Sequence, residues 1–378
     1  MEVRKNIGWV DLLRVLACFF VVFAHCCDGF VGQFDVDHQA FLTGVFTGSL
    51  MRPSVPLFVM MTGVLLLPLP SGTTLPGFYR KRIGRILWPL VFWSLLLPLL
   101  AFLYFTYVNP DTRNPLLSVG DYTVSSLAVR LYTFVFNFNF DTVPLWYLYM
   151  LVGLYLFMPV LNAWLLQATR QEVKTVLWIW GVSLLLPYIR MFAPLFGYQG
   201  NYGNMEILGE CDWNAYGTFY YFSGFMGYLL LAYYLMRYPL DWSWRKTLWI
   251  AVPMFVAGYL VTSVGYLITQ NYFPGNYAYL EIVWYFTGIN VFMMTFAVFV
   301  IVQKVHIPTL SWLSRLANLC FGIYLCHYVF VFVSYDLFER LCWPFFVRIV
   351  CMACVAFTVS FFVSLLMSKC KVTSRLVK

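Results

Sequence analysis

Apolar residues run along this chain in long blocks, and short polar segments between them carry most of the charge. A helix that crosses a bilayer needs about 20 predominantly apolar residues. Ten blocks are long enough: 7–30, 42–69, 83–108, 144–166, 175–196, 215–236, 247–269, 280–304, 316–338 and 343–367. They predict an all-α polytopic membrane bundle of about ten transmembrane helices, folded as a single domain over residues 1–378. The second block is the least regular, because Pro53 and Pro56 interrupt it, and it reads as two half-helices. The longest polar connection, 109–141, holds Asp111, Arg113, Asp121, Arg130 and Asp141. Its Leu-Ala-Val-Arg and Phe-Val-Phe segments suit a short amphipathic helix at the membrane surface.

Charge then orients the bundle. With the N-terminus in the cytoplasm, most of the basic residues fall in inner segments, among them Arg80, Lys81, Arg82, Arg85, Arg245, Lys246, Lys369 and Lys371. Most of the acids fall outside. That asymmetry is the positive-inside bias, and an even helix count returns the basic C-terminal tail to the cytoplasm. The apolar run after Arg4 and Lys5 is too long for a signal peptide and has no small-residue cleavage site after it, so it reads as a retained helix.

Composition agrees: 62% of the residues are hydrophobic and 11% charged, against about a quarter charged in a soluble domain. The net charge of +8 does not imply nucleic acid, because the cations sit in short loops where they set topology. Of the ten cysteines, Cys18, Cys320, Cys326, Cys351 and Cys354 lie inside apolar runs and act as small hydrophobes. No CxxC pair lies in a loop, so no metal site is expected. Cys26, Cys27 and Cys211 fall near the outer face, where one disulfide has room to form.

Ionisable groups inside a span are costly, and each is a functional candidate. The first helix has Asp11, Arg14 and His25. Eleven residues separate Arg14 from His25, which at about 100° per residue leaves them roughly 20° apart around the helix and about 16 Å apart along it. Asp11 is spaced to pair with Arg14, and Asp28, one turn beyond His25, is placed to orient the imidazole. Two readings stand: a structural ion pair with a satisfied interfacial histidine, or an anion-facing Arg14 with His25 as general base, a role suited to a group that titrates near neutral pH. The loop Tyr79–Arg85 carries Arg80, Lys81, Arg82 and Arg85; these are either topogenic charges beside anionic lipid or a phosphate site, with Arg82 and Arg85 as its clamp. His327 lies mid-membrane, as a packing residue or facing a cavity. Trp146, Tyr147 and Tyr149 form an interfacial aromatic belt or the floor of a sugar site. Glu281 and Trp284 are ambiguous in the same way.

These residues carry a resemblance. Asp11-Leu-Leu-Arg14 followed by His25 resembles the first-helix signature of acyltransferase family 3, the integral membrane O-acyltransferases. Val55-Pro56-Leu57-Phe58-Val59-Met60-Met61-Thr62-Gly63 is like the family's second helix, with Thr62 where serine is common. Arg82-x-x-Arg85, Trp146-Tyr147-Leu148-Tyr149-Met150 and Gly322-Ile323-Tyr324-Leu325-Cys326-His327 are similar to its later motifs. The resemblance implies transfer of an acyl group, usually acetyl, from cytoplasmic acyl-CoA. The acceptor would be a hydroxyl of a cell-surface glycan or lipid-linked sugar at the outer face of a bacterial inner membrane. By the same resemblance His25 and Arg14 are the essential pair, and Arg82 and Arg85 contact the donor side. The residues themselves add Asp11 to the catalytic candidates, Arg80 to those for acetyl-CoA, and Trp146, Tyr149, His327 and Glu281 to those for the acceptor. Direct transfer and an acyl-histidine intermediate both remain open. A transporter or flippase for a lipid-linked sugar is the competing reading, weakened by the lack of an internal repeat. A purely structural membrane partner is the third.

Overall fold

The computed structural model describes residues 8–136, 139–198, 206–211 and 214–377. The α-helices are α1 (Gly8–Val31), α2 (His38–Leu50), α3 (Ser54–Leu66), α4 (Leu75–Leu103), α5 (Val124–Thr133), α6 (Trp146–Leu165), α7 (Arg170–Ser183), α8 (Leu186–Phe192), α9 (Met226–Arg237), α10 (Trp244–Tyr272), α11 (Tyr277–Trp284), α12 (Ile289–Lys304), α13 (Ser311–Glu339) and α14 (Phe345–Lys369). There is no strand among the described residues. Nine helical stretches among them are long and apolar enough to cross a membrane, which makes this an all-α polytopic protein.

Two elements differ in detail from the hydropathy reading. The sixth block, 215–236, is a 3-10 stretch (Gly217–Phe222) followed by the twelve-residue α9; Gly224 at φ +73° stands between them and ends helical geometry there. The Tyr79–Arg85 cations are not in a loop, because α4 already starts at Leu75. Thr74 caps it by accepting from the Gly77 N–H at 3.3 Å, and Pro76 occupies its first turn. At 1.5 Å per residue the 29 residues of α4 are about 43 Å long, so its basic first turns project beyond a hydrocarbon core of about 30 Å. The second block does divide, into α2 and α3, around Pro53. The polar connection contains the short α5, as its amphipathic pattern predicts.

The chain forms two compact units. The first comprises Met1–Met51, Gly72–Phe157 and His306–Lys378. Within it α1 and α13 run side by side in the same direction: Asp11 meets Ser314, Cys18 meets Cys320, His25 meets His327 and Gln33 meets Tyr335. α14 returns antiparallel, with Phe30 against Phe345 and Phe19 against Phe357. Lipid tails are as apolar as leucine, so helix association in a membrane relies on close packing and polar contacts. The sequence supplies both. A Cβ at Gly44 on α2 would lie 2.7 Å from the Val31 backbone nitrogen, and one at Gly322 on α13 would lie 2.8 Å from Ser364 Oγ on α14. An aromatic cluster of Phe102, Phe105, Tyr122, Tyr328 and Phe332 ties the end of α4 to α13.

The second unit comprises Arg52–Ser71 and Met158–Val305. α3 packs on α9 through Gly63, whose Cβ position lies 2.7 Å from the Leu229 carbonyl oxygen. Trp180 of α7 is buried and donates Nε1–H to the Gly224 carbonyl at 2.8 Å. Asn290 joins three segments: its amide donates to Thr262 Oγ1 and to the Val283 carbonyl, and its oxygen accepts from Tyr188 at 2.7 Å.

Candidate functional site

The polar stripe of α1 is built in the first unit, and α13 supplies its other side. At one end Asp11 Oδ1 lies 3.7 Å from the Arg14 guanidinium, the i,i+3 pairing expected. Its other oxygen, Oδ2, accepts from Ser314 of α13. Further along the same helix, His25 Nδ1 lies 2.8 Å from Asp28 Oδ2. A carboxylate can only accept, so Nδ1 carries the proton and Nε2 presents a lone pair. Asp28 thus fixes the tautomer of the imidazole, with the Nε2 lone pair turned away from the carboxylate.

The His25 ring is flanked by two residues of α13. Its centroid is 5.3 Å from that of His327 and 5.1 Å from Tyr328, the latter edge to face. His327 is wholly buried, and its Nδ1 lies 2.6 Å from the Tyr324 carbonyl oxygen one turn earlier. The Nε2 of His327 is buried without a hydrogen-bond partner. Beside this pair opens a narrow cleft of about 10 Å³, bounded by His25, Asp28, Asn114, Tyr328 and Tyr335. The side chains of His25 and Asp28 are 21% and 34% exposed; His25 is reachable from the cleft, whereas His327 does not line it.

The segment over this cleft is anchored by acids. Asp336 near the end of α13 accepts from Tyr104 at 2.9 Å and from Thr112, and Asn114 Oδ1 accepts from the Leu116 N–H at 3.1 Å. Farther along, Asp141 is buried, paired with Arg130, and accepts from Tyr122 at 2.8 Å. The Arg130 guanidinium lies over the Tyr122 ring at 4.8 Å. The Arg130–Asp141 pair therefore ties the far end of the polar connection into the unit, while Asp111, Arg113 and Asp121 are exposed.

The remaining sequence candidates fall in different places. Arg80 and Arg85 are exposed on the first turns of α4 and Arg82 is half-buried. Buried Tyr155 of α6 is within electrostatic reach of both Arg82 and Arg85. Tyr149 donates its hydroxyl to the Val135 carbonyl, and Trp146 stacks edge-on against Tyr147. It is Tyr147 that approaches the histidine pair, through Tyr324: the rings of Tyr147 and Tyr324 are 5.6 Å apart, and those of Tyr324 and His327 5.9 Å. Glu281 is exposed on α11 in the second unit, while the histidine site is built within the first. The outer-face disulfide for which the sequence left room is not formed. Cys26, Cys27 and Cys211 are free, and the first two are buried inside the helical packing, where the Cys27 thiol lies 3.3 Å from Thr47 Oγ1.

Sequence reasoning passed over Ser314, Asn114, Tyr328 and Tyr335. Tyr324, Tyr328 and Tyr335 follow helical spacing along α13, so one face of it is a stripe of aromatic hydroxyls. That stripe is visible in the sequence once α13 is known to face α1. Asn114 lies in irregular chain and has no such signal.

Comparison with known proteins gives one match. The profile described as an acyltransferase domain, that of acyltransferase family 3, matches residues 7–365. No curated protein and no solved structure matches the chain. A match over nearly the whole length, on a bundle of membrane-spanning helices, places the protein: the chain belongs to acyltransferase family 3 and is a multi-pass membrane acyltransferase.

Proposed function

We propose that this acyltransferase moves an acetyl group from cytoplasmic acetyl-CoA to a hydroxyl of a cell-surface glycan or lipid-linked sugar, with His25 as general base. The observation that carries the reading is the hydrogen bond from His25 Nδ1 to Asp28 at the edge of an open cleft. It leaves Nε2 to take the proton of the acceptor hydroxyl as its oxygen attacks the thioester carbonyl carbon. The tetrahedral adduct then collapses, the C–S bond breaks, and the departing thiolate recovers the proton from His25. Asp28 stabilises the imidazolium between these two steps.

The charge asymmetry supports a bundle with both termini in the cytoplasm of a bacterial inner membrane. On that orientation Arg80, Arg82 and Arg85 face the CoA phosphates at the inner surface, and the Asp11–Arg14 pair borders the path of the arm towards His25. Trp146, Tyr149 and Glu281 remain candidates for the acceptor side.

The test is twofold. Calorimetry in detergent should show acetyl-CoA binding at micromolar concentration in the wild type, lost in the Arg82→Ala/Arg85→Ala double variant. His25→Ala should keep the fold and the binding but release no thiol. Binding without His25-dependent turnover would remove the base assignment, and no binding of any acyl-CoA would favour the flippase reading.

A further inference from the structure

A buried acceptor atom without a partner calls for an explanation, since it has given up water and gained nothing in exchange. Nε2 of His327 is such an atom. Its chemistry is fixed: Nδ1 lies 2.6 Å from the Tyr324 carbonyl oxygen, which can only accept. The proton is therefore on Nδ1, and Nε2 is a lone-pair acceptor. The ring sits 5.3 Å from that of His25, so whatever donates to it lies next to the reacting centre.

Its position distinguishes the two substrates. α1 and α13 run in the same direction, with the Asp11–Arg14–Ser314 cluster at one end and the cleft at the other. Tyr328, Val331, Phe332 and Tyr335 line the cleft, and His327 precedes all of them on α13 without lining it. His327 thus stands level with His25 but outside the cleft, one position before the first cleft residue of α13. If the acceptor enters by the cleft, the group that reaches His327 belongs to the acyl donor. Along the arm of a CoA thioester, the first hydrogen-bond donor beyond sulfur is an amide N–H, four bonds from the carbonyl carbon.

We infer that His327 holds the thioester arm by accepting a hydrogen bond from this amide N–H at Nε2, setting the carbonyl carbon beside His25. This rests on the acyl-CoA reading above. His327 is then a second residue of the site that touches substrate, and its two nitrogens have separate tasks. Nδ1 is held by the α13 backbone, and Nε2 reads the acyl donor.

Small thioesters test this on the full-length protein in detergent, with thiol release as readout. S-acetyl-N-acetylcysteamine carries the amide N–H. Its ester counterpart, with oxygen in place of N–H, keeps the shape and lacks only that hydrogen-bond donor. The wild type should favour the amide by roughly tenfold in kcat/KM, the effect of one buried hydrogen bond. His327→Asn preserves a donor towards the Tyr324 carbonyl but has nothing at the position of Nε2, and it should lose the preference. His327→Gln can place an acceptor oxygen there and should keep it. Equal use of the two thioesters by the wild type overturns the inference without any variant having to fold. A preference that survives in His327→Asn overturns it as well, since the histidine would then be a packing residue. If the wild type releases thiol from neither these compounds nor acetyl-CoA, the acyl-CoA reading itself fails and the inference falls with it. Turnover that depends on His25 but ignores the amide removes only the role of His327.

Discussion

Replacing Asp28 separates the two things its carboxylate does for His25. The first is charge. His25 Nδ1 and Asp28 Oδ2 are 2.8 Å apart, and the side chains are 21% and 34% exposed, so the pair is neither fully wet nor dry. Unit charges about 4 Å apart attract by about 1 kcal/mol in water and about 4 kcal/mol at an effective dielectric constant near 20. An intermediate value of about 2 kcal/mol for the imidazolium that forms during transfer corresponds to roughly 30-fold in kcat. The second is tautomer. Alanine removes the charge but leaves Nδ1 and Nε2 to share the proton, so a useful fraction of the base survives. Asparagine can turn its NH2 towards Nδ1, which then accepts and forces the proton onto Nε2, the nitrogen that must be free. A triad in which the carboxylate was changed this way lost about 10⁴-fold. The expected order is therefore wild type, then Asp28→Ala lower by roughly 10- to 100-fold, then Asp28→Asn lower still by about tenfold or more. KM for acetyl-CoA should be nearly unchanged, because Asp28 lines the cleft and not the basic turns of α4. Steady-state thiol release at saturating acetyl-CoA measures this. Activity of either variant within threefold of wild type, or Asp28→Asn outperforming Asp28→Ala, would refute the reasoning.

Two stability predictions concern charges away from the histidine site. Arg130→Ala leaves Asp141, 1% exposed, as a buried carboxylate without its cation, which costs about 3–5 kcal/mol; thermal unfolding in detergent should fall clearly, and more than for Arg113→Ala, whose side chain is 74% exposed. Burial pushes the Glu210 carboxyl up to about 7 from its ordinary 4.5, with Arg190 opposing the shift and Glu206 adding to it. The folded chain then holds a proton that the unfolded chain has lost between those values, so stability is full below about pH 4.5 and declines as pH rises to about 7, by at most about 3 kcal/mol. Melting at pH 5 and pH 8 should differ more in the wild type than in Glu210→Gln, and an equal difference in both would dismiss Glu210 as the source.

What could be read in advance depended on periodicity. The spans were legible because a bilayer demands long apolar runs, and the division of α2 from α3 because Pro53 and Pro56 disrupt regular helix. Arg14 and His25 could be set on one face of α1 by angle alone, and Asp28 by its one-turn spacing from His25. The start of α4 was missed because its first turns, Leu75–Arg85, are too polar for a hydropathy threshold, although Thr74 and Pro76 mark a helix start. The 215–236 run is not one regular helix but a 3-10 stretch and α9, because apolar content says nothing of a backbone break such as Gly224. The Arg130–Asp141–Tyr122 network joins a residue of the short α5 to two outside any α-helix, where no period exists to reveal a partner. The pairing of His25 with His327 spans most of the sequence, and nothing local in either helix specifies it.

That last pairing has a physical basis in how two apolar helices find their register. α1 and α13 are apolar on most sides, and lipid offers them no hydrophobic preference for one another. A slip of one helical turn, about 5.4 Å, would cost little in apolar contact. It would cost every polar contact between them. Asp11 would lose the Ser314 hydroxyl at one end, and Gln33 would lose Tyr335, 3.1 Å away, at the other. A Cβ at Gly29 would lie only 2.7 Å from the Tyr335 ring, so the glycine admits that tyrosine in one alignment. The polar and small residues at the two ends thus act as a clamp on register, and the histidines lie between them. The ties of Asp11 to Arg14 and Ser314 hold α13 where His327 and Tyr328 flank His25, so the spacing of the two histidines is set by contacts a full helix-length apart.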